Sequence, residues 1–311
     1  MSGKYTFDNF ITLLQNPQAI LGEINHLMTE FNKKIHKRLY QKKGVSVMAE
    51  NWDNLIILDG CRYDLFDSAN TLDGELSKVQ SLGSTSSEFL RENFDEDDFH
   101  DTVYISANPF MNVVGDSTFH KLYSIIETDW DETHQTVLPE DMVSATLKAY
   151  EEHPDKRLII HFMQPHYPFL GETGDQISHR GISSKAGQDG GSKYTVWGQL
   201  QYRIADFSEE MVWEAYRENL ELVLPHVATL IAELDGKSVI TADHGNMVGE
   251  RQTPVPVKGY GHTSELRVDG LVDVPWFVFD SEDRRTVTSE PPSVQEIETA
   301  TQDKLEALGY V

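Results

Sequence analysis

The sequence predicts an α/β fold in which a central, mostly parallel sheet carries helices on both faces. The segments Asn54–Leu58 and Arg157–Phe162 are short apolar runs, as expected of parallel strands that are buried on both faces. Residues 140–152, which precede the second run, have the residue pattern of a helix. Strands that alternate with helices are typical of a parallel or mixed sheet between two helical layers.

The N-terminal segment, residues 1–45, is predicted to be a helical, basic extension of a main domain that spans residues 46–311. Its apolar residues recur at helical spacing, at Ile20, Leu21, Ile24, Leu27, Met28 and Phe31. Six basic residues follow within eleven positions, at Lys33, Lys34, Lys37, Arg38, Lys42 and Lys43. One interpretation is an amphipathic helix that contacts a membrane surface or a protein partner through residues 20–43. The other is a helix packed on the domain, because an acidic body attracts a basic arm.

Five further segments complete the predicted main domain. Residues 103–105 predict another strand, residues 207–234 a long helix, and residues 272–279 the last strand. Residues 171–198 are rich in Gly, Ser and charge and lack periodicity, so they predict a long loop that could cover a substrate. The chain then ends in a predicted helix at residues 296–308.

The charge balance is extreme, with 51 acidic against 26 basic residues and a net charge of −25 at pH 7. Such a chain repels nucleic acid and anionic surfaces, so nucleic acid is not an expected partner. It also repels an anionic substrate, so a metal ion would have to supply local positive charge. A surface this acidic suits a cell with molar internal salt, where the Debye length shrinks to about 3 Å. We therefore hypothesise a halophilic origin.

Three sequence features bear on the cellular location of the protein. Cys61 is the single cysteine, so the chain forms no internal disulfide. No apolar run approaches about 18 residues, so a membrane span is not expected. The N-terminus lacks the charged-then-apolar pattern of a secretory signal. Together these features favour a cytoplasmic enzyme.

The stretch most indicative of chemistry is Thr-Ala-Asp-His-Gly-Asn-Met-Val-Gly-Glu at residues 241–250. It follows the apolar run at residues 238–240, so a buried strand would deliver Asp243 and His244 to its carboxyl end. In open α/β sheets, ligands bind at that edge. A carboxylate beside an imidazole suits Zn, Mn or Fe. A second Gly-His pair ends at His262 and strengthens the prediction of a metal site.

These residues resemble the late metal-binding segment of the alkaline phosphatase superfamily, in its sulfatase-like and phosphodiesterase-like branch. Three other segments are similar to that branch in the expected order, at residues 54–66, 82–90 and 161–169, and the tail at residues 303–311 is similar to the chain end of many sulfatase-like proteins. The resemblance covers roughly residues 50–311. It implies an alkaline-phosphatase-like three-layer sandwich and a metal-dependent reaction on a sulfate or phosphate ester.

The resemblance also implies the metal ligands. Asp59 ends the first strand and matches a metal-binding Asp of the family, whereas its alternative role is a turn or helix cap. Asp243 and His244 arrive from another strand in the same way, and His262 matches a late histidine that is a ligand or a leaving-group acid. Sulfatases usually carry two consecutive acids at the first position, and Gly60 departs from that calcium-binding pattern.

The nucleophile is expected in Gly-Ser-Thr-Ser-Ser at residues 83–87. Thr85 aligns best with the nucleophilic threonine of phosphodiesterase-like relatives, and Ser84 and Ser86 are the alternatives. The same segment has the pattern of a helix N-cap, where N–H groups also bind anions. Cys61 is followed by Arg-Tyr-Asp, so it does not match the Cys-x-Pro-x-Arg motif from which sulfatases make formylglycine.

Four more side chains are candidates for contact with the substrate. His166 is a candidate catalytic residue that donates to the ester or protonates the leaving group, and His161 precedes it in the same segment. Relatives often have an Asp that binds a second metal where this chain has Gln164. Lys258 could neutralise an oxyanion, and Arg62 could clamp a phosphate or sulfate unless it pairs with a nearby acid.

The sequence therefore predicts a hydrolase or transferase that acts on an anionic ester, such as one linked to a glycan. The reaction would pass through a covalent Ser or Thr ester and use one or two divalent ions, with Zn, Mn, Ca and Mg as candidates. One alternative is a phosphodiesterase or phosphomutase on the same fold. The other is a glycan-assembly scaffold without catalytic activity.

Overall fold

The computed structural model of the protein describes residues 17–39, 43–95, 97–115, 117–178, 194–292, 304–305 and 308. Part of the predicted 171–198 loop and most of the predicted terminal helix lie outside these ranges. So do residues 1–16 and 40–42 of the predicted extension. No helix in the described ranges has the length and apolar character needed to cross a bilayer.

The core of the fold is a seven-stranded mixed sheet with strand order β2-β11-β8-β1-β7-β3-β4. Its strands are β1 Asn54–Leu58, β2 Glu75–Gln80, β3 Phe99–Ser106, β4 Phe119–Ser124, β7 Arg157–Phe162, β8 Ser238–Thr241 and β11 Asp273–Phe279. Neighbouring strands from β8 to β4 are parallel, whereas β11 runs antiparallel to both β8 and β2. Two small ribbons pair β5 Trp130–Asp131 with β6 Thr136–Val137, and β9 Met247–Arg251 with β10 Lys258–Gly261.

Helices cover both faces of this sheet, which confirms the predicted α/β sandwich. They are α1 Pro17–Leu39, α2 Tyr63–Ala69, α3 Ser86–Phe94, α4 Ile125–Thr128, α5 Pro139–Glu152, α6 Val196–Gln201, α7 Glu209–Glu233 and α8 Asp269–Val272. Short 3-10 helices lie at Val47–Ala49, Pro109–Val113 and Gly174–Gln176.

The central strand β1 shows how the two helical layers share the sheet. Its alternate side chains point to opposite faces, as strand geometry requires. Ile56 and Leu58 lie in a core with residues of α2, α5 and α7, whereas Leu55 and Ile57 lie in a second core with residues of α3. Because every residue of β1 is buried, the strand is apolar throughout rather than alternating.

The structure confirms the strands predicted at residues 54–58, 103–105, 157–162 and 272–279. It also confirms the helices predicted at residues 140–152 and 207–234, with small differences at their ends. Strands β2 and β4 were not predicted. Strand β2 lies at the edge of the sheet with mostly exposed or half-exposed side chains, so its sequence lacks the apolar run that marks the central strands.

Candidate metal centre

The candidate site lies at the carboxyl edge of three adjacent strands, β8, β1 and β7. Asp59 directly follows β1, Asp243 follows β8 after one intervening residue, and His161 is the penultimate residue of β7. All three side chains are fully buried. Parallel strands end at the same edge of a sheet, so side chains that are distant in sequence meet there.

Asp59, His161 and Asp243 each offer one possible ligand atom, and these atoms all lie within 4.8 Å of one another. His161 Nε2 is 3.9 Å from Asp59 Oδ2 and 3.8 Å from Asp243 Oδ2. Within the described part of the chain, neither His161 Nε2 nor Asp243 Oδ2 has a hydrogen-bond partner. Buried polar atoms without partners are costly, so this donor set fits a bound cation.

Other groups hold the carboxylates in place. Asn108 Nδ2 donates to Asp59 Oδ2 at 2.6 Å. The backbone N–H groups of Gly60 and His244 donate to Asp243 Oδ1, each at 2.9 Å. Gly60 has a φ of +67°, and a side chain there would collide with Asn246 Nδ2. The tight turn after β1 therefore depends on glycine.

His244 lies beside the same two carboxylates. Its Nδ1–H donates to the Gly245 carbonyl at 2.9 Å, which directs Nε2 toward the carboxylates. That nitrogen is 3.8 Å from Asp59 Oδ1 and 3.5 Å from Asp243 Oδ2. It also lies 3.2 Å from the Ser86 hydroxyl oxygen.

The start of helix α3 separates the three candidate nucleophiles. Thr85 is the N-cap residue, and its hydroxyl accepts a hydrogen bond from Glu88 N. Ser84 Oγ donates to the Glu88 carboxylate at 2.8 Å. Ser86 is the first residue of the helix, is fully buried and directs its hydroxyl to His244. The residue aligned by resemblance, Thr85, thus caps the helix, whereas its neighbour contacts the site.

Two further imidazoles extend the cluster on the side of His244. The His262 ring centroid is 4.5 Å from that of His244 and 5.2 Å from that of His166. His262 Nδ1–H donates to Asn246 Oδ1, and His166 Nδ1–H donates to its neighbouring carbonyl at Tyr167. His262 is only partly buried, so it marks the side of the cluster that is nearest to solvent.

Burial controls the protonation of these groups. It lowers the pKa of His161 to about 4 and the pKa of His166 to about 3, so both rings are neutral at pH 7. Burial, together with the adjacent His244 and His166, also holds the pKa of His262 well below its usual range. For Asp243, burial favours the neutral acid, but His244 and His161 outweigh it and lower the pKa. The site therefore combines the Asp243 carboxylate with neutral rings of His161, His166 and His262, which are metal-binding forms.

Arg62, Lys258 and Gln164 are engaged elsewhere. The Arg62 guanidinium is bonded to Asp64 and Glu250 and lies over the Trp213 ring at 4.8 Å. Lys258 Nζ pairs with Glu209 at 2.7 Å. Gln164 is buried and donates to the Val137 carbonyl. The partners of these three side chains thus lie outside the pair of carboxylates formed by Asp59 and Asp243.

Sequence reasoning missed Asn108, Tyr104 and Asn246. Asn108 and Tyr104 lie on or just after β3, the strand next to β7. The sequence predicts only residues 103–105 of that strand, so it does not show where the strand ends. Asn246 lies within residues 241–250, and an amide side chain does not by itself indicate a metal ligand.

Comparisons with known proteins find distant structural neighbours but no family model and no curated relative. No protein-family model matches the chain, and no curated protein matches it. Among solved structures, the soluble domain of lipooligosaccharide phosphoethanolamine transferase A from Neisseria meningitidis shares 13% identity over 74% of this chain and 76% of its own, with a TM-score of 0.49. The integral membrane form of that transferase has a TM-score of 0.48 and 13% identity over 74% of this chain, which spans 47% of its length.

A third solved structure is lipoteichoic acid synthase from Listeria monocytogenes. It shares 11% identity over 80% of this chain and 70% of its own, with a TM-score of 0.40. At this identity and similarity, the neighbours do not assign a reaction to the chain.

Proposed function

We propose that the protein is a metal-dependent enzyme of the sulfatase-like branch of the alkaline phosphatase superfamily, which hydrolyses or transfers a sulfate or phosphate ester. One observation carries this proposal. The Ser86 hydroxyl lies 3.2 Å from His244 Nε2, beside two buried carboxylates whose ligand atoms converge with His161. The resemblance of the motifs around Asp59 and Asp243 to that branch supports the same conclusion.

Asp59, Asp243 and His161 would hold the cation, which leaves the lone pair of His244 Nε2 free to act as a base. When bound, a divalent cation would stabilise charge on the transferring group and favour ionisation of a nearby hydroxyl. Ca²⁺ and Mg²⁺ prefer all-oxygen ligands, whereas imidazoles suit Zn²⁺ and Mn²⁺. The nitrogen-containing donor set therefore favours Zn or Mn.

Ser86 supplies the nucleophile in this proposal. Its Oγ would form the bond to phosphorus or sulfur while the bond from that atom to the leaving oxygen breaks. His244 Nε2 is within hydrogen-bond distance and can accept the hydroxyl proton, which then passes to the departing alkoxide. Water or an acceptor hydroxyl would release the group from Ser86. Because Ser86 begins α3, the helix N-terminus also favours the negative charge of the transferring group.

His166 and His262 lie next to this arrangement as neutral rings. Since burial lowers the pKa of His166 to about 3, the ring is not a ready proton donor at neutral pH before a substrate binds. Its proposed role is therefore to bind a second cation together with His262. This assignment differs from the leaving-group acid that the sequence motif suggested for His166.

The test combines metal content with turnover. The protein, purified in molar KCl, would be analysed for Zn, Mn, Ca and Mg and then assayed with 4-nitrophenyl sulfate, 4-nitrophenyl phosphate and bis(4-nitrophenyl) phosphate. We expect bound Zn or Mn and turnover of at least one ester that a chelator abolishes. A chain that binds none of the four metals and cleaves none of the esters would refute the proposal and favour the scaffold alternative.

A further inference from the structure

Helix α1, Pro17–Leu39, docks on the protein with its polar side and leaves its apolar side exposed. Asn32 and His36 are buried, with 0% and 1% of their surface exposed. By contrast, Phe31 is 50% exposed and Ile24 is 49% exposed. A surface helix of a globular protein normally has the opposite arrangement, with apolar residues facing the core. The packing of α1 on the rest of the protein therefore gives no reason for its apolar residues.

Specific hydrogen bonds set the rotation of α1. The Asn32 side chain exchanges two hydrogen bonds with the backbone of Val255, at 2.9 and 3.0 Å. His36 Nε2–H donates to the Thr253 carbonyl at 2.7 Å, and Asn25 Nδ2 donates to the Lys258 carbonyl at 2.8 Å. These contacts lie along one side of the helix and leave little freedom to turn the apolar side inward.

The exposed apolar side forms a continuous stripe at positions spaced by three or four residues. It consists of Ile20, Ile24, Leu27 and Phe31, with Leu21 at its margin, and each of these side chains is at least 41% exposed. Contiguous apolar surface of this kind marks an interaction site rather than the scattered apolar residues of an ordinary surface. We call these five residues the α1 stripe.

Basic side chains border the α1 stripe. At 100° per residue, Lys34 and Arg38 lie on the same side of α1 as Ile20 and Leu27, and both are exposed. The stripe also borders a groove of about 260 Å³, lined by Leu21 and other residues that include the exposed Arg203 and Arg251. Helix α1 carries four basic residues against two acidic ones, Glu23 and Glu30, so its net charge is +2 in a chain whose net charge is −25.

We propose that α1 binds the surface of an anionic lipid bilayer, lying in the plane of the headgroups with the α1 stripe toward the acyl chains. A helix with one apolar side bordered by Lys and Arg is suited to this position. The anionic headgroups would pair with Lys34, Arg38 and the arginines of the adjacent groove. The acidic remainder of the protein opposes binding, so the attachment is expected to be reversible.

The apolar part of the proposal is tested with the full-length chain and sedimented vesicles of phosphatidylglycerol. The variant Ile24→Glu/Phe31→Glu places two charges in the α1 stripe without changing a buried residue. Its matched control, Leu222→Glu/Phe279→Glu, changes two exposed apolar residues on other elements. We expect the wild type and the control to sediment with vesicles, and the stripe variant to partition at least about tenfold more weakly.

The charge part is tested by comparing phosphatidylglycerol with phosphatidylcholine vesicles. Each basic residue near an anionic surface contributes roughly fivefold to partitioning, so Lys34→Glu/Arg38→Glu should abolish the preference for phosphatidylglycerol. The control Lys121→Glu/Lys148→Glu changes the net charge equally at sites outside α1 and should keep that preference.

Two results would overturn the proposal. One is wild-type protein that stays in the supernatant with both kinds of vesicle. The other is a wild-type dimer in analytical ultracentrifugation that becomes a monomer in Ile24→Glu/Phe31→Glu, while vesicle binding is the same in both proteins. In that case a second copy of the chain, rather than a bilayer, would cover the α1 stripe. Circular dichroism of each variant establishes that it is folded before the comparison.

Discussion

The Tyr104 hydroxyl lies 2.9 Å from His161 Nδ1, and both side chains are fully buried. This contact determines which nitrogen of His161 faces the carboxylates of Asp59 and Asp243. If Nε2 uses its lone pair for a cation, Nδ1 carries the proton and donates it to the Tyr104 oxygen. Partners of this kind orient metal-binding histidines and raise their basicity. Burial raises the pKa of Tyr104 far above its usual range, so the hydroxyl remains neutral.

The first prediction concerns this contact. Tyr104→Phe removes one oxygen and leaves the ring packing, so we expect metal affinity to fall about 10- to 100-fold while the fold is retained. Titration of the metal-free protein with Zn or Mn would measure the change. Tyr123→Phe is a matched control, because that hydroxyl bonds to Glu152 away from the site. Equal affinities in the wild type and Tyr104→Phe would contradict the orienting role.

The second prediction separates Ser86 from Thr85. Ser86→Ala should lower turnover of whichever 4-nitrophenyl ester the wild type cleaves by at least about a thousandfold, because it removes the proposed nucleophile. Thr85→Ala should keep most of the activity and lose about 1 kcal/mol of stability, because it removes the helix cap. Mass spectrometry of the protein trapped during turnover would locate the ester. An adduct on Thr85, or an active Ser86→Ala variant, would refute the assignment to Ser86.

The third prediction concerns the carboxylates. Asp243→Asn keeps an oxygen that can accept from Gly60 and His244 but removes the negative charge, so we expect loss of the bound metal in a folded protein. The control is Asp64→Asn, whose carboxylate pairs with Arg62 outside the candidate centre. Elemental analysis after dialysis would compare the two. Retention of stoichiometric metal by Asp243→Asn would show that the centre lies elsewhere.

The fourth prediction concerns pH and the metal-free protein. Burial lowers the pKa of His166 from 6.5 to about 3 in the folded state, so the unfolded chain binds this proton more readily. Stability from the neutral ring is therefore present above pH 6.5 and is lost as the pH falls toward the folded pKa. Between about pH 6.5 and pH 4.5, His166 should account for a loss of roughly 2 kcal/mol in the free energy of unfolding.

Denaturant unfolding of the wild type and His166→Gln at both pH values would measure this loss. The glutamine can still donate a hydrogen bond but does not titrate, so its loss over the same interval should be smaller. Because other groups titrate in both proteins, the difference between them is the relevant quantity. A difference of zero would mean that His166 is not a buried neutral ring in solution.

The fifth prediction follows from the net charge of −25. Acidic side chains repel one another in dilute buffer, and salt screens this repulsion. We expect the midpoint of thermal unfolding to rise by several degrees between about 0.2 M and about 2 M KCl. Sucrose, which stabilises proteins without screening charge, is the control. An unfolding midpoint that does not change with KCl would argue against the halophilic hypothesis.

The central strands were predictable because they are buried on both faces. β1 and β7 are apolar almost throughout, and a short apolar run of that kind is visible in the sequence alone. The edge strands β2 and β4 were missed because partial exposure leaves their sequences polar. Their strand conformation depends on pairing with other strands. The partner of β2 is β11, which is distant in the sequence, and the partner of β4 is β3, which is only partly evident from the sequence.

For the N-terminal helix, the sequence predicted the helix but not the side that packs on the protein. The apolar spacing predicted a helix, and the structure has one at Pro17–Leu39. The spacing did not reveal which side docks, because polar side chains such as Asn32 supply the contacts through hydrogen bonds to the 252–258 segment. Periodicity reports where apolar residues lie on a helix, whereas docking depends on the partner surface.

The sequence by itself determined that Asp59 and Asp243 follow buried strands, and parallel strands carry such residues to a common edge. It also located a hydroxyl-rich helix start at residues 83–87. Only the tertiary structure decided that His161 converges with the carboxylates and that Ser86, rather than Thr85, directs its hydroxyl to His244. The reason is geometric. Adjacent residues at a helix start point in different directions, and which one faces the site depends on how α3 packs on the sheet.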